Sequence, residues 1–204
     1  VMKSLASGTA TLDSFLVRSY KGFEAQNFFT FGRGDFWKSH ARMYDGGQAY
    51  PAWKAISLFN NEGLGDMLRT ETLAVPTAEL KAFKQRQAVK DGPLVAVYAT
   101  KMADRLNLFV LSRKVPDYLG LGDGFTQVAI DLPFNRARTV TLYRMTGDPT
   151  AHNVGSDNVK VEKVAISPAS IKGRLTLDRG SGAPERGLPP ASTFLYVFEG
   201  IGSD

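Results

Sequence analysis

The spacing of apolar side chains changes once along this 204-residue chain, from a helical period to a strand period, between Leu68 and Pro93. Before the change, a cap signal at 7–9 is followed by apolar residues near a helical repeat, namely Leu12, Phe15, Leu16 and Phe23. With Asp13 in its first turn, this pattern predicts an amphipathic helix that begins at the cap signal and ends near Gly22.

A short aromatic run at 27–31 separates this helix from a second one. The run is rich in β-forming residues and is closed by Gly32 and Gly34, which predicts a buried strand that opens into a loop. A second helix is predicted over 51–62, because Pro51 suits the first helical position and Gly63 follows as a stop. An apolar strand between two helices is typical of a parallel α/β sheet or barrel.

From Leu94 onward apolar and polar residues alternate with a period of two, in runs separated by glycine, proline, asparagine and aspartate. The predicted strands are 94–99, 105–111, 126–132, 139–145, 159–166, 173–177 and 193–198. Such regular alternation of strands and turns predicts an antiparallel β-sandwich. The intervening segment 77–90 fits either a short helix or an irregular connector. The predicted fold class is therefore mixed, a short α/β segment followed by an antiparallel β-sandwich.

Composition removes several classes of function. The 25 Lys and Arg against 20 Asp and Glu give a net charge of +5, but the cations are scattered rather than clustered, which argues against nucleic-acid binding. No apolar run approaches the roughly 18 residues of a membrane span, and the absence of cysteine excludes disulfides and thiol chemistry. The acidic residues nowhere show the spacing of a calcium loop, so neither a metal site nor a cofactor is expected.

Three stretches of sequence resemble a known group of enzymes. The stretch 29–37, FTFGRGDFW, and the stretch 46–59, GGQAYPAWKAISLF, resemble the end of a clan A glycoside hydrolase barrel, with families 39 and 51 the most similar. The stretch 188–197, LPPASTFLYV, resembles the last strand of the β-sandwich that follows such barrels. The resemblance covers both ends of the chain.

This resemblance implies a division of the chain into three parts. Residues 1–70 would be the terminal helix-strand-helix portion of a (β/α)8 (TIM) barrel, with the seventh helix at 9–24, the eighth strand at 27–31 and the eighth helix at 51–62. Residues 71–92 would be a connector, and residues 93–204 the accessory β-sandwich. The resemblance also slightly favours a secreted or periplasmic location.

The resemblance further implies that the catalytic residues are absent from this chain. Retaining enzymes of this clan carry an acid/base glutamate after strand four and a nucleophilic glutamate on strand seven, with the two carboxyl groups about 5 Å apart. Both positions would precede Val1, so no catalytic residue is assigned here. The expected partners are a carbohydrate substrate and an N-terminal chain that carries the rest of the barrel.

The loop after the predicted strand 27–31 holds the candidate substrate-binding residues, because barrel active sites are built from loops at the carboxyl ends of strands. An indole such as Trp37 can lie flat against the C–H face of a sugar, while Arg33, Asp35 and His40 can hydrogen-bond its hydroxyl groups. The alternatives are that Trp37 packs only against its own loop and that His40 is an ordinary surface residue.

A second hypothesis makes the chain a non-catalytic carbohydrate-binding or structural module. Its sandwich would bind glycan through aromatic side chains, the candidates being Tyr98, Phe109, Tyr143 and Tyr196. Inside strands of period two such rings more often belong to a core. A binding platform must be exposed, so the burial of these four rings distinguishes the two hypotheses.

Overall fold

The computed structural model describes residues 3–23, 49–71, 73–80, 89–115, 124–184 and 187–202. Two α-helices lie in this part of the chain, α1 (Leu5–Tyr20) and α2 (Pro51–Glu62). The strands are β1 (Asp66–Leu68), β2 (Thr77–Leu80), β3 (Val89–Pro93), β4 (Val95–Met102), β5 (Arg105–Ser112), β6 (Ala129–Asp131), β7 (Thr139–Met145), β8 (Glu162–Ile166), β9 (Arg174–Thr176) and β10 (Thr193–Glu199). Short 3-10 turns occur at Pro168–Ser170 and Arg179–Ser181.

An antiparallel six-stranded sheet is the centre of the fold, with the strand order β1-β4-β5-β10-β7-β8. The last strand in sequence, β10, lies between β5 and β7, so that Tyr196 is opposite both Leu108 and Leu142. Strands β6 and β9 form a two-stranded sheet, and strands β2 and β3 form another.

Both faces of the six-stranded sheet are buried. Alternate residues of β10 illustrate this, because Phe194, Tyr196 and Phe198 belong to one apolar core together with β6 and β9, whereas Leu195 and Val197 belong to a second core with α1 and α2. Successive side chains of a strand point to opposite faces, so a strand covered on both sides must be apolar throughout. This explains the apolar runs at 108–111 in β5 and 194–198 in β10. The sheet is thus covered by strands on one side and by helices on the other.

Helix α1 begins four residues earlier than the sequence pattern predicted. Ser4 is its N-cap and accepts a hydrogen bond from the Ser7 amide, so the expected cap signal at 7–9 lies inside the helix. Gly8 sits there because a side-chain carbon would come within 2.8 Å of Pro51. Thr9 contacts the chain at the beginning of β10, since its hydroxyl donates to the Ala191 carbonyl oxygen at 2.7 Å and lies 2.9 Å from the Thr193 hydroxyl. Tertiary contacts, not capping, account for these two residues.

Helix α2 confirms the predicted bounds 51–62, with proline in its first turn and Gly63 as its C-cap. The sheet binds the end of this helix. Thr100 donates to the Gly63 carbonyl oxygen at 2.6 Å, Asn107 donates to the Leu64 carbonyl oxygen at 3.0 Å, and Arg105 donates to the backbone carbonyl of Glu62. These bonds satisfy carbonyl groups that a helix end leaves without an intrahelical partner.

The predicted strand bounds agree best with the structure where the sequence contains a clear turn signal. Strand β7 has the predicted bounds, whereas β6, β8 and β9 are shorter than predicted. The segment 77–90 is neither a helix nor an irregular connector throughout, because Thr77 pairs with Pro93 and Leu80 with Val89 in a two-stranded sheet. The short strand β1, which the pattern did not predict, joins the edge of the six-stranded sheet. The predicted strand 27–31 lies outside the described residues.

The observed class is the predicted one, mixed, with a short helical segment followed by an antiparallel, sheet-rich part. Neither described helix is both long enough and apolar enough to cross a membrane.

Candidate functional site

The four predicted substrate-binding residues, Arg33, Asp35, Trp37 and His40, lie outside the residues that the structure describes. The structure does describe the two helices between which they lie in sequence. The stretch 24–48 joins the described structure at residue 23, just beyond the end of α1, and at residue 49, just before the beginning of α2.

Helices α1 and α2 pack side by side in parallel. Near their beginnings Gly8 is against Pro51, and farther along Phe15 and Phe59 have ring centroids 6.1 Å apart. Moving seven residues along α1 thus corresponds to moving eight along α2 in the same direction. Parallel packing of two successive helices is the arrangement found in consecutive α/β units.

The long connection between β7 and β8, residues 146–161 and hereafter the β7–β8 loop, contacts the beginning of α1. The amide of Leu5 donates to the Ala151 carbonyl oxygen at 2.8 Å, and the amide of Ala6 donates to the Pro149 carbonyl oxygen at 3.0 Å. Ser4 also forms a β-bridge with His152. The first amides of a helix lack intrahelical acceptors, and here the β7–β8 loop provides them.

The same loop binds the beginning of α2 through Asn153, which is fully buried. Its side-chain amide donates to the carbonyl oxygens of Ala49 (2.8 Å) and Val159 (2.9 Å) and to Asp157 Oδ1 (3.1 Å), while its Oδ1 accepts from the Val159 amide at 2.7 Å. Lys54 of α2 forms an ion pair with Asp157. Both helix beginnings are therefore held by one loop of the sheet.

The tip of the β7–β8 loop is exposed although its base is buried. Outward-facing residues include His152, Val154, Gly155, Ser156 and Asn158. The ring nitrogen Nδ1 of His152 accepts a hydrogen bond from the Val154 amide at 3.3 Å, and Asn158 Nδ2 donates to the His152 carbonyl oxygen at 2.9 Å. In a neutral imidazole this leaves Nε2 as the N–H donor.

A partly buried ion pair joins the middle of α1 to the sheet. Arg113 donates from Nε to Asp13 Oδ2 at 2.7 Å and from Nη2 to Asp13 Oδ1 at 2.9 Å, and the Tyr98 hydroxyl donates to the same Oδ1 at 2.7 Å. Asp13 is therefore a mid-helix packing residue and not the first-turn residue expected from the pattern. The ion pair raises the pKa of the Arg113 guanidinium, and burial followed by the Asp13 hydrogen bond raises the pKa of Tyr98.

The raised pKa of Tyr98 predicts a loss of stability in alkali. The folded protein retains the phenolic proton above pH 10, where an unfolded tyrosine loses it, so stability is complete below pH 10 and falls as the pH rises further. We expect the free energy of unfolding to fall between pH 10 and 11 in the parent and to fall less in Tyr98→Phe, by about 1 kcal/mol over this pH unit. Denaturant titration at several pH values between 8 and 11 measures both slopes. If the parent and Tyr98→Phe lost stability equally above pH 10, the pKa of Tyr98 would not be raised by folding.

The aromatic residues of the second hypothesis are mostly core residues. Tyr98 is 6% exposed, and Phe109 and Tyr196 are 0% exposed. Tyr143 is half-buried against the helix-facing core, with the Lys163 ammonium group 5.3 Å from its ring centroid. Three of the four rings cannot reach a glycan, so a sugar-binding platform made from these residues is not favoured.

A cleft of about 910 Å³ lies between the β1 and β4 edge of the large sheet and the segment 127–133. Its lining is mainly aliphatic, with polar side chains contributed by Arg69, Thr70, Glu71, Arg113, Gln127 and Asp131. Among the described lining residues the one aromatic ring is Tyr98, which packs in the helix-facing core. The cleft therefore lacks the exposed aromatic face that sugar sites use.

The carboxylates near the helices have structural partners. Asp13, Glu62 and Asp157 are each ion-paired with a cation from another element, respectively Arg113, Arg105 and Lys54. Over the described ranges, no three histidine or carboxylate side chains come close enough together to hold a metal ion.

No family model and no curated protein sequence matches the chain. Its fold matches solved structures of glycoside hydrolases. Over 97% of this chain, the TM-score is 0.66 to a family 51 arabinofuranosidase from Xanthomonas axonopodis pv. citri, at 12% identity and 36% of that chain. It is 0.62 to AbfB, a family 51 α-L-arabinofuranosidase from Bifidobacterium longum, at 13% identity and 34% of that chain.

A third match is the family 30 subfamily 8 xylanase Xyn30A from Clostridium acetobutylicum, with a TM-score of 0.54, 9% identity, and coverage of 97% of this chain and 40% of that one. The chain thus spans 34% to 40% of the length of these three enzymes. At the level of the fold, these matches confirm the resemblance to the C-terminal part of a clan A glycoside hydrolase.

Proposed function

We propose that the chain is the C-terminal portion of a glycoside hydrolase that acts on O-glycosidic bonds of a poly- or oligosaccharide. In this proposal residues 1–70 complete a (β/α)8 barrel, 71–92 connect the two parts, and 93–204 form the accessory sandwich, to whose sheet β1 is added. The observation that carries the proposal is the parallel packing of α1 and α2. It is the arrangement expected of consecutive outer helices of a barrel.

The proposal gives the sandwich a mechanical role. Its sheet buries one side of both helices, its β7–β8 loop holds their beginnings, and Thr100, Arg105 and Asn107 hold the end of α2. Helix positions in a barrel determine where the strand-to-helix loops lie. The sandwich would therefore hold the loop after strand eight in a fixed position relative to the sugar cleft.

Catalysis is assigned to residues outside this chain. Glycoside hydrolysis needs one carboxyl group as acid/base and a second as nucleophile or base, and three carboxylates beside the helices are already paired with cations. In the proposal Trp37 contacts a sugar ring, and Arg33, Asp35 and His40 bind sugar hydroxyl groups. The remaining barrel, with its two glutamates, is supplied by a preceding part of the polypeptide or by an associated chain.

The test compares the native protein with the isolated chain. The native protein is purified with any polypeptide that precedes or accompanies residues 1–204, and both preparations are assayed on aryl arabinofuranosides, aryl xylosides, arabinan, xylan and their oligosaccharides. We expect hydrolysis by the native protein only. Activity of the isolated chain, or a native protein inactive on the whole panel, would contradict the proposal.

In the native protein Trp37→Ala is expected to lower kcat/KM at least tenfold, which corresponds to about 1.4 kcal/mol of lost binding to the transition state. Phe125→Ala is the matched control, because this ring is 38% exposed on the sandwich and has no assigned role. Equal effects of the two changes on kcat/KM would contradict a sugar contact by Trp37.

A further inference from the structure

The β7–β8 loop has features that holding the helices does not require. Hairpin connections usually have two to five residues, and loops longer than about 12 to 15 residues without secondary structure are uncommon and often functional. This loop has a buried base, built on Asn153 and Val159, and an exposed polar tip. The contacts described above explain the base but not the tip.

The position of the tip follows from the contacts of the base. The loop bonds Ser4 and Ala49, which are the N-cap of α1 and the residue before the N-cap of α2. It therefore lies at the level where both helices begin and not along their sides. In a barrel this is the face that carries the strand-to-helix loops and the substrate.

The place of Ala49 in the sequence also puts the loop near the predicted sugar-binding residues. Ala49 directly follows the stretch 24–48, in which all four predicted sugar-contacting residues lie. A side-chain amide of the sandwich thus binds the backbone at the point where that stretch joins α2. Since Asn153 is fully buried and makes four hydrogen bonds, this junction is rigid.

The chemistry of the tip suits a carbohydrate. His152 presents an N–H donor at Nε2, Asn158 presents an acceptor at Oδ1 because its Nδ2 bonds the His152 carbonyl oxygen, and Ser156 has a hydroxyl that can do both. Val154, 48% exposed, adds an apolar surface. Sugar hydroxyl groups require donors and acceptors together, beside apolar surface for the C–H groups.

We propose that the tip of the β7–β8 loop, formed by His152, 154–156 and Asn158, is one wall of the sugar cleft and binds an oligosaccharide beyond the reacting sugar. The proposal rests on the proposed function. Because the sandwich lies outside the two helices, the tip contacts distant units of a long substrate and not the sugar at the centre of the barrel. It is therefore a specificity determinant for chain length.

The experiment uses the native protein and compares the longest oligosaccharide on which it is active with an aryl monoglycoside. His152→Ala and Asn158→Ala are each expected to raise KM for the oligosaccharide about threefold to tenfold, as expected for the loss of one hydrogen bond. We expect kcat and the kinetics with the aryl monoglycoside to change by less than twofold. Thr176→Ala, an exposed substitution on β9, is the control and leaves both substrates unaffected.

A third variant separates a binding role from a folding defect. Ser156→Tyr removes no contact described for the loop and adds bulk at the exposed tip, so we expect an unchanged Tm with a raised KM for the oligosaccharide alone. If the parent is active and all three variants retain the parental ratio of kcat/KM for long and short substrates, the loop has no substrate role and the proposed function stands. A parent inactive on every substrate overturns both proposals.

Discussion

Replacing Asn153 by leucine is expected to lower the free energy of unfolding by about 3–5 kcal/mol. Leucine has a similar size but can make none of the four hydrogen bonds of the buried amide. The Ala49 carbonyl oxygen and the Val159 amide would lose this partner inside the protein, whereas the Val159 carbonyl oxygen would keep its hydrogen bond from Lys54 Nζ. An unpaired buried polar group costs about 1–3 kcal/mol, and water entering the site would recover part of the sum. Urea denaturation with a fixed m-value measures the change.

Two further substitutions show which property of Asn153 matters. Asn153→Asp keeps the shape but replaces the donating NH2 by an oxygen that faces two carbonyl oxygens and Asp157, so we expect a loss of at least 3 kcal/mol. Asn158→Leu makes the leucine substitution at an exposed site of the same loop, with an expected loss of less than 1 kcal/mol. A small effect of Asn153→Asp would show that packing, and not hydrogen bonding, holds the loop.

Replacing Asp13 by alanine is expected to lower the free energy of unfolding by about 2–4 kcal/mol. The Arg113 side chain is 32% exposed and the Asp13 side chain 17% exposed, so the change leaves a partly buried guanidinium without its carboxylate. Breaking a buried pair costs more than the pair contributes, since the remaining charge is poorly solvated. Tyr98 loses its hydrogen-bond acceptor in the same variant. Denaturant unfolding at neutral pH measures the loss.

The control is Asp131→Ala, which breaks an exposed ion pair with Arg174. The Arg174 side chain is 61% exposed and the Asp131 side chain 68% exposed. An exposed pair contributes at most about 1 kcal/mol, so we expect a correspondingly small change. Removing both charges in Asp13→Leu with Arg113→Met should recover part of the stability lost in Asp13→Ala. If Asp13→Ala and Asp131→Ala were equally stable, the ion pair between α1 and the sheet would contribute no more to stability than an exposed one.

Elements with clear boundary signals could be predicted from sequence. Helix α2 has proline at its start and Gly63 at its end, and β7 precedes a Gly147-Asp148-Pro149 turn, so both bounds were predicted correctly. The start of α1 was misplaced because Gly8 and Thr9 resemble a cap. Their identities are set by contacts with residues 43 or more positions away in the sequence, and such contacts leave no periodic signal.

The candidate site could be predicted less well than the fold. The β7–β8 loop was recognised only as a turn at Asp148-Pro149, and Asn153 is an unremarkable residue in the sequence. The available signal was length, since about 13 residues between two predicted strands is long for a hairpin connection. The length of the loop does not show which part of the protein the loop contacts. Only the folded chain shows that Asn153 binds Ala49, some 100 positions earlier.

The central place of β10 has a consequence for synthesis of the protein. Residues 193–199 are made after every other strand described here, yet they separate the three strands β1, β4 and β5 from the pair β7 and β8. Until they leave the ribosome, the nascent chain has two half-sheets with unpaired edges, and such edges invite association between chains. A premature stop only a few residues before Thr193 would therefore leave two incomplete sheets, and aggregation or degradation of the product would follow.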